Sequence, residues 1–441
     1  MAEKYQIMSN QLAEGESGRV DIVPTTKERE RLRALAAGFS EIAQSDVMKE
    51  RKAGWKAVRD LRPQRPMILF ETLSVAGFVR PDEFECENEY LRNVERSFVE
   101  ALKHYRTVGD DIVFENYFQL AWRTHKSDWG VQIVEHHADD SMAYMSNFPI
   151  KGPEDLAKLK KRSFSVDRER TLGFRDTLED LFGDILPVRV GNVDKFFPDM
   201  GFNPFCGNNA PLLTMDVFKM MGYEAMSFWS YDNEAAFRQL LGFLLDDNIR
   251  YIEWMEAEGL LTLNTDNQFA GPSGYGYVSD LPEADGQPAK ISDCWTWCES
   301  QETNVFSPQM FSELFLPYLA EYSNRFGLVS YGCCEPVDDR IGFIKKAIPK
   351  LRTVSVSGWN NFEKVAGSLG RDYVYCSKPK PTFISGKLPD WDGARAEIER
   401  TWKAAKDQPL EFVVRDVYDL DGDMGRIKRW VDMAKQITGA T

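Results

Sequence analysis

Short apolar runs that end on a polar residue recur along this chain, and they set its expected architecture. The first 60 residues read as a helical lead-in, with Leu32, Ala34 and Leu35 among Arg29, Glu30, Arg31 and Arg33, and Trp55 before the breaks at Pro63 and Pro66. Met67-Ile68-Leu69-Phe70 then forms a wholly apolar run ending on Glu71, the form of a buried strand. The form recurs at Ile112-Val113-Phe114 before Glu115 and Asn116, and at Val188-Arg189-Val190 before Gly191 and Asn192. Between Glu234 and Glu258 the residues Phe237, Leu240, Leu241, Leu244 and Leu245 share one helical stripe. The segments Pro198 to Pro211, Gly271 to Gly276 and Pro282 to Pro288 read as long loops.

From residue 290 the alternation is regular. A strand-like run at Ile291–Trp297 precedes a helix opened by Ser307-Pro308, kinked at Pro317 and stopped at Gly327. Strand and helix patterns then alternate through Leu328–Tyr331, the stripe Ile341, Ile344 and Ile348, Thr353–Val356, a helix from Asn361 to Leu369 and Tyr373–Cys376. A helix at Ala394–Ala405, the strand Phe412–Val414 and a last helix carrying Ile427, Trp430 and Val431 complete the series. Alternation of this kind predicts parallel βαβ units. No G-x-G-x-x-G or G-x-x-x-x-G-K-[ST] follows any run, which argues against an open nucleotide-binding sheet. The expected fold is therefore α/β: a single (β/α)8 barrel over residues 63–441, with long loop insertions and a helical N-terminal extension over residues 1–62.

Composition narrows the partners. Lys and Arg number 54 against 69 Asp and Glu, a net charge of −15. Such a surface disfavours nucleic acid and anionic membranes. No 18 consecutive residues are apolar, and the start, Met1-Ala2-Glu3-Lys4-Tyr5-Gln6-Ile7-Met8, lacks the pattern of a secretory signal. Seven Cys, an odd number with two adjacent, do not form a disulfide framework, so a reducing, cytoplasmic setting is expected.

In a barrel the loops at the C-terminal strand ends converge on the active site. Here those ends carry Glu71, Glu115, Asn192, Glu299, Cys333-Cys334-Glu335, Ser357, Ser377-Lys378 and Arg415-Asp416. Cys333 with Cys376, and Glu335 or another group as third ligand, offer a zinc-type donor set; the competing reading is small buried thiols at a crowded strand end. Trp295 and Trp297 alternate onto one face, suited either to stacking on a planar ligand or to packing. Glu135-His136-His137-Ala138-Asp139-Asp140 gathers two of the four His with three acids, as a base or metal site or as a solvated turn. No G-x-S-x-G elbow or Ser-His-Asp order marks a serine hydrolase.

Several segments together resemble the uroporphyrinogen decarboxylase superfamily, in particular its branch of corrinoid-linked methyltransferases. They are Arg65-Pro66, Ser300-Gln301-Glu302, Ser307-Pro308-Gln309-Met310-Phe311, Arg325-Phe326-Gly327-Leu328, Tyr331-Gly332-Cys333-Cys334-Glu335-Pro336, Val354-Ser355-Val356-Ser357, Lys378-Pro379 and Arg429-Trp430-Val431. The resemblance is dense over residues 290–440 and thin before about 190. It implies a (β/α)8 barrel and one of two chemistries, cofactor-free decarboxylation or methyl transfer to a corrinoid protein at a zinc site. Tyr331-Gly332-Cys333 stands where such relatives place a His-x-Cys zinc element, and Cys376 is the candidate for the distant thiol.

The leading expectation is a methyltransferase that demethylates a small O-methylated, aromatic or other, substrate and hands the methyl to a corrinoid protein. Glu299, Tyr331, Glu335 and Asp416 are its acid and orienting candidates. Trp295, Trp297, Glu71, Asn192 and Lys378 would bind substrate, and Cys333 and Cys376 zinc. The corrinoid (cobalamin) would be carried by a partner protein, and a second copy of the chain is a further candidate partner. The rival enzyme is a decarboxylase using Arg415 or Lys378 to hold a carboxylate, with Asp416 stabilising charge. A non-catalytic binding subunit is the third expectation.

Overall fold

The computed structural model describes residues 22–137, 144–191 and 209–440. Two helices lead in. Thr26–Ala43 opens with a capping box between Thr25 and Glu28, and Asp46–Arg59 is capped by Ser45. Eight strands follow that pair in parallel with their neighbours: β1 (Met67–Phe70), β2 (Phe118–Ala121), β3 (Val188–Gly191), β4 (Trp295–Cys298), β5 (Leu328–Tyr331), β6 (Leu351–Ser357), β7 (Val374–Lys378) and β8 (Leu410–Val414). Six of them form one parallel sheet in the order β1-β8-β7-β6-β5-β4, while β2 pairs with β3 alone. Thr124–Lys126 pairs antiparallel with Phe164–Val166, and Glu135–His137 with Tyr144–Ser146. The acidic His run therefore begins in a strand; its Ala138, Asp139 and Asp140 lie outside the described residues.

The expected closed (β/α)8 barrel is corrected here. Strand order follows a barrel, and β1 does pair with β8, but the ladder is broken into a sheet of six and a pair. Side chains occupy the two outer edges where neighbouring strands would lie. At β1, the N–H of Ile68 donates to Asp111 Oδ2 and that of Phe70 to Asp110 Oδ2, both at 2.8 Å, beside one main-chain bond from Asp111 N–H to Ile68 O. At β4, the Asn264 amide accepts from Trp295 N–H at 2.8 Å and donates to Trp295 O at 3.2 Å. Buried main-chain groups need partners, and carboxylates and an amide serve as well as a strand. For the same reason Ile112–Phe114 is not a strand; the ladder starts four residues after Phe114, at Phe118.

The concave side of the sheet is filled by the chain around residues 264–276, which includes the Gly-rich segment expected to be a loop. Ser273 Oγ lies 3.4 Å from Ser330 Oγ of β5, and Gly274 N–H donates to Glu411 of β8 at 3.0 Å. Gly274 passes so close to the Asp46–Arg59 helix that a Cβ there would stand 2.0 Å from the Trp55 ring. Arg59 ends that helix inside the sheet, fully buried, bonded to Thr353, Ser273 and Glu411. The convex side carries the largest apolar cluster, where Ile68, Phe70, Val354, Val356, Phe412 and Val414 meet the helices. Pro308–Leu314 and Leu316–Ser323 are two helices separated at Phe315, as Pro317 predicts.

Candidate active site

Alternation along each strand decides which residues reach the site. Ile68, Phe70, Val354, Val356, Phe412 and Val414 pack on the convex side, so their neighbours face inward. Continuing that alternation past the last rung places Glu71, Glu299, Lys378 and Arg415 on the concave side at the C-terminal ends of β1, β4, β7 and β8. The loop after β5 adds Cys333, Cys334 and Glu335. Gly332, at φ +95°, turns the chain out of β5; its N–H donates to Cys298 O at 2.8 Å. There a Cβ would sit 3.3 Å from the Ser355 Cβ.

Three carboxyls crowd the β4–β5 side. Glu335, fully buried, accepts from Cys333 N–H at 2.7 Å and Ser300 N–H at 3.0 Å, clamping the two strand ends together. Thr214 Oγ1 lies 3.1 Å from Glu299 Oε1 and 2.7 Å from Glu302 Oε2. One hydroxyl proton cannot serve both acceptors, so a carboxyl proton must supply the second bond. Burial raises the Glu299 pKa well above the ordinary glutamate value, reinforced by the charges of Glu302 and Glu335; burial also raises that of Glu302. Burial and the neighbouring charges thus favour the neutral acid at Glu299.

The β7–β8 side is cationic. Arg415 forms a buried two-point ion pair with Glu71, with Nη2 to Oε1 at 3.0 Å. Lys378 is buried beside it. Burial opposes its charge, yet Cys333, Cys334 and Asp416 hold its pKa above the ordinary lysine value. Asp416 adopts φ +60°, a strained conformation for a residue with a Cβ, and accepts from Tyr418 Oη at 3.3 Å. Cys333 and Cys334 lie between the two sides, their Sγ atoms 3.7 Å apart.

The structure brings together Glu71, Glu299, Cys333, Glu335, Lys378 and Asp416 of the expected site. It places others elsewhere. Tyr331 belongs to the convex apolar cluster, its hydroxyl 2.6 Å from Ser300 Oγ. Trp295 and Trp297 are buried on the concave side, their indole N–H groups on Gly276 O and Gly332 O at 2.9 Å, so both support the site from beneath. Asn192 lies outside the described residues. Cys376, two residues before Lys378, sits a layer deeper, in register with Glu411 of β8. Among the described residues no three His, Cys, Asp or Glu stand together to hold a metal ion, so the zinc set of Cys333, Cys376 and Glu335 is not assembled.

Several site residues carry no clear mark in the sequence. Glu302 and Thr214 complete the acid cluster, and the i, i+3 spacing of Glu299 and Glu302 is the one signal that points to them. Behind Glu71, Thr72 Oγ1 lies 2.9 Å from His104 Nδ1, and His104 Nε2 lies 2.9 Å from Asp110, a buried Thr-His-Asp chain that ties β1 to the helix Glu89–Thr107. Its members come from three separate segments, which no motif would join.

No family model matches the chain, and no curated protein matches it. Among solved structures it is similar to a methyltransferase from Methanosarcina mazei, 12% identical over 88% of this chain and 98% of that one, with a TM-score of 0.48. Among the described residues no helix is long and apolar enough to cross a membrane.

Proposed function

We propose that this chain is a methyltransferase that removes the methyl group of a small O-methylated substrate and passes it to a corrinoid protein. The observation that carries the reading is the placement of Glu299, whose burial favours the neutral acid, and the buried cation Lys378 on the concave side at C-terminal strand ends. An ether oxygen is a poor leaving group until it is protonated. Lys378 binds an anionic substituent of the substrate and orients the ring or chain that bears the ether. Glu299 delivers its proton to the ether oxygen as the carbon–oxygen bond breaks, with the bonding pair staying on oxygen and an alcohol leaving. Thr214 Oγ1 and the main-chain N–H of Gln301, which donates to Glu299 Oε2 at 2.7 Å, keep the resulting carboxylate hydrogen-bonded until it is reprotonated. Glu335 holds the ends of β4 and β5 in register through the cycle. The corrinoid of the partner supplies the methyl acceptor, and no step is assigned to zinc because the thiols do not gather a ligand set.

The decarboxylase reading draws on the same cations. It is weakened by Arg415, whose charge is already committed to Glu71, which leaves Lys378 to hold the substrate carboxylate. Incubating the protein with methoxyarenes and a reduced corrinoid protein separates the readings. Methyl-corrinoid with equimolar demethylated phenol supports methyl transfer. Release of CO₂ from carboxylate substrates without corrinoid, and no methyl-corrinoid across the donor panel, would overturn it.

A further inference from the structure

Arg340 is a buried cation to which the proposed mechanism gives no task. It closes the loop after β5, just ahead of the helix Ile341–Ala347. Its Nη1 donates to Thr303 Oγ1 at 2.7 Å, and its Nη2 donates to Thr303 O at 2.7 Å and to Phe306 O at 3.0 Å. The guanidinium carbon lies 4.5 Å from the centre of the Phe311 ring, and among the described residues no carboxylate pairs with it. A charge buried without a counter-ion is costly, so the oxygens it holds account for it. They belong to the far end of the short helical turn Gln301–Thr303, which contains Glu302 and follows Glu299 by one residue. Thr303 Oγ1 extends the grip by donating to Ser300 O at 2.6 Å. Gln301 N–H, in the same turn, donates to Glu299 Oε2 at 2.7 Å, so the turn's orientation is also the acid's.

We propose that Arg340 is a positioning residue: it fixes the turn that orients Glu299, and so aims the acid at the ether oxygen. The inference rests on the methyl-transfer reading. A three-residue turn has little internal bonding with which to hold itself. Arg340 in turn is anchored from β6. Asn360 Nδ2 donates to Ser357 O and Oγ at 3.1 Å, Val337 N–H donates to Asn360 Oδ1 at 2.7 Å, and Arg340 N–H donates to Val337 O at 2.9 Å. A line of hydrogen bonds thus runs from the end of β6, through the loop after β5, to the acid at the end of β4. Lysine would keep the charge but lacks the planar fork that spans these three oxygens.

R340K in the full chain tests this in two ways. By hydrogen–deuterium exchange, the peptide spanning residues 299–306 should exchange about tenfold faster than in the parent, while the β6 peptide keeps the parent's rate. T303V, which removes one of the three acceptors, should shift the same peptide in the same direction and carries the test if R340K does not fold. The second readout is methyl transfer to a reduced corrinoid protein from anisole and from 4-nitroanisole. Nitrophenolate leaves with little help from an acid, whereas phenolate needs the proton. R340K should therefore slow transfer from anisole by about 10- to 100-fold at nearly unchanged KM, and transfer from 4-nitroanisole far less. A general folding defect would lower both donors alike. Equal slowing of the two donors, or exchange over residues 299–306 that is unchanged or rises only with the whole chain, would overturn the proposal. No transfer by the parent from either donor would instead count against methyl transfer, and the exchange result still decides whether Arg340 holds the turn.

Discussion

Glu299 couples chemistry to stability. Its proton is held more tightly in the folded chain than in the unfolded one, because burial and two neighbouring carboxylates oppose its charge. Its contribution to stability is therefore complete below the ordinary glutamate value of about 4.3 and is lost as pH rises through the raised folded value. E299Q, which cannot ionise, should fold at least as stably as the parent in the alkaline range and show a flatter decline with pH; urea denaturation from about pH 5 to about pH 9 measures this. An unchanged slope would mean that Glu299 ionises normally. Gly332 makes a second residue-scale case. Alanine at φ +95°, against Ser355, should cost about 1–2 kcal/mol or more in the same assay. A neutral G332A would show that this turn is not constrained as described. Glu71, Glu299, Lys378 and Asp416 are legible in the sequence, because a polar residue closing an apolar run marks where a chain leaves the core. Their division into an acidic and a cationic side is not legible there, since it depends on which strands are neighbours.

At the scale of elements, the apolar runs identify the strands but conceal their faces. A strand covered on both sides lacks the alternation that reports orientation. Tyr331 thus reads as a site residue in the sequence although its neighbour Ser330 is the one that faces inward. The same ambiguity leaves Trp295 and Trp297 open between stacking on a ligand and packing, and they pack. Position along the strand matters too. Cys376 and Lys378 share a face, yet two residues of rise separate a buried thiol from the mouth. The lead-in helix Asp46–Arg59 is fixed by a feature its sequence does not advertise, the buried pair between Arg59 and Glu411. R59M should lower stability by about 3–5 kcal/mol, because it strands the Glu411 charge, and the double variant R59M/E411L should recover much of that loss. Chemical denaturation of the three proteins decides it; additive losses in the double variant would show that the two charges do not depend on each other.

For the whole molecule, the alternation of strands and helices correctly predicts parallel strands in a mixed α/β fold, and it does not predict closure. Nothing in a hydrophobic pattern distinguishes a strand edge paired with another strand from one capped by Asp110, Asp111 or Asn264. The distinction rests on single polar side chains in loops. N264L should leave the Trp295 N–H without its side-chain partner, while the carbonyl keeps the Asn209 amide at 3.1 Å, and cost roughly 1–3 kcal/mol, read as a lower urea midpoint. A variant as stable as the parent would mean that another group pairs with this edge. The proposed function rests on one end of the sheet, where the strand ends carry Glu299 and Lys378 on the concave side. Methyl-corrinoid formation from a methoxyarene, followed spectroscopically with the parent chain and with E299Q, examines that end as a catalyst. The parent should form methyl-corrinoid and demethylated product in equal amounts, and E299Q should be slower by about 10²- to 10⁴-fold while its fold is retained. Equal rates for the two proteins, or no transfer from any donor with the parent, would contradict it.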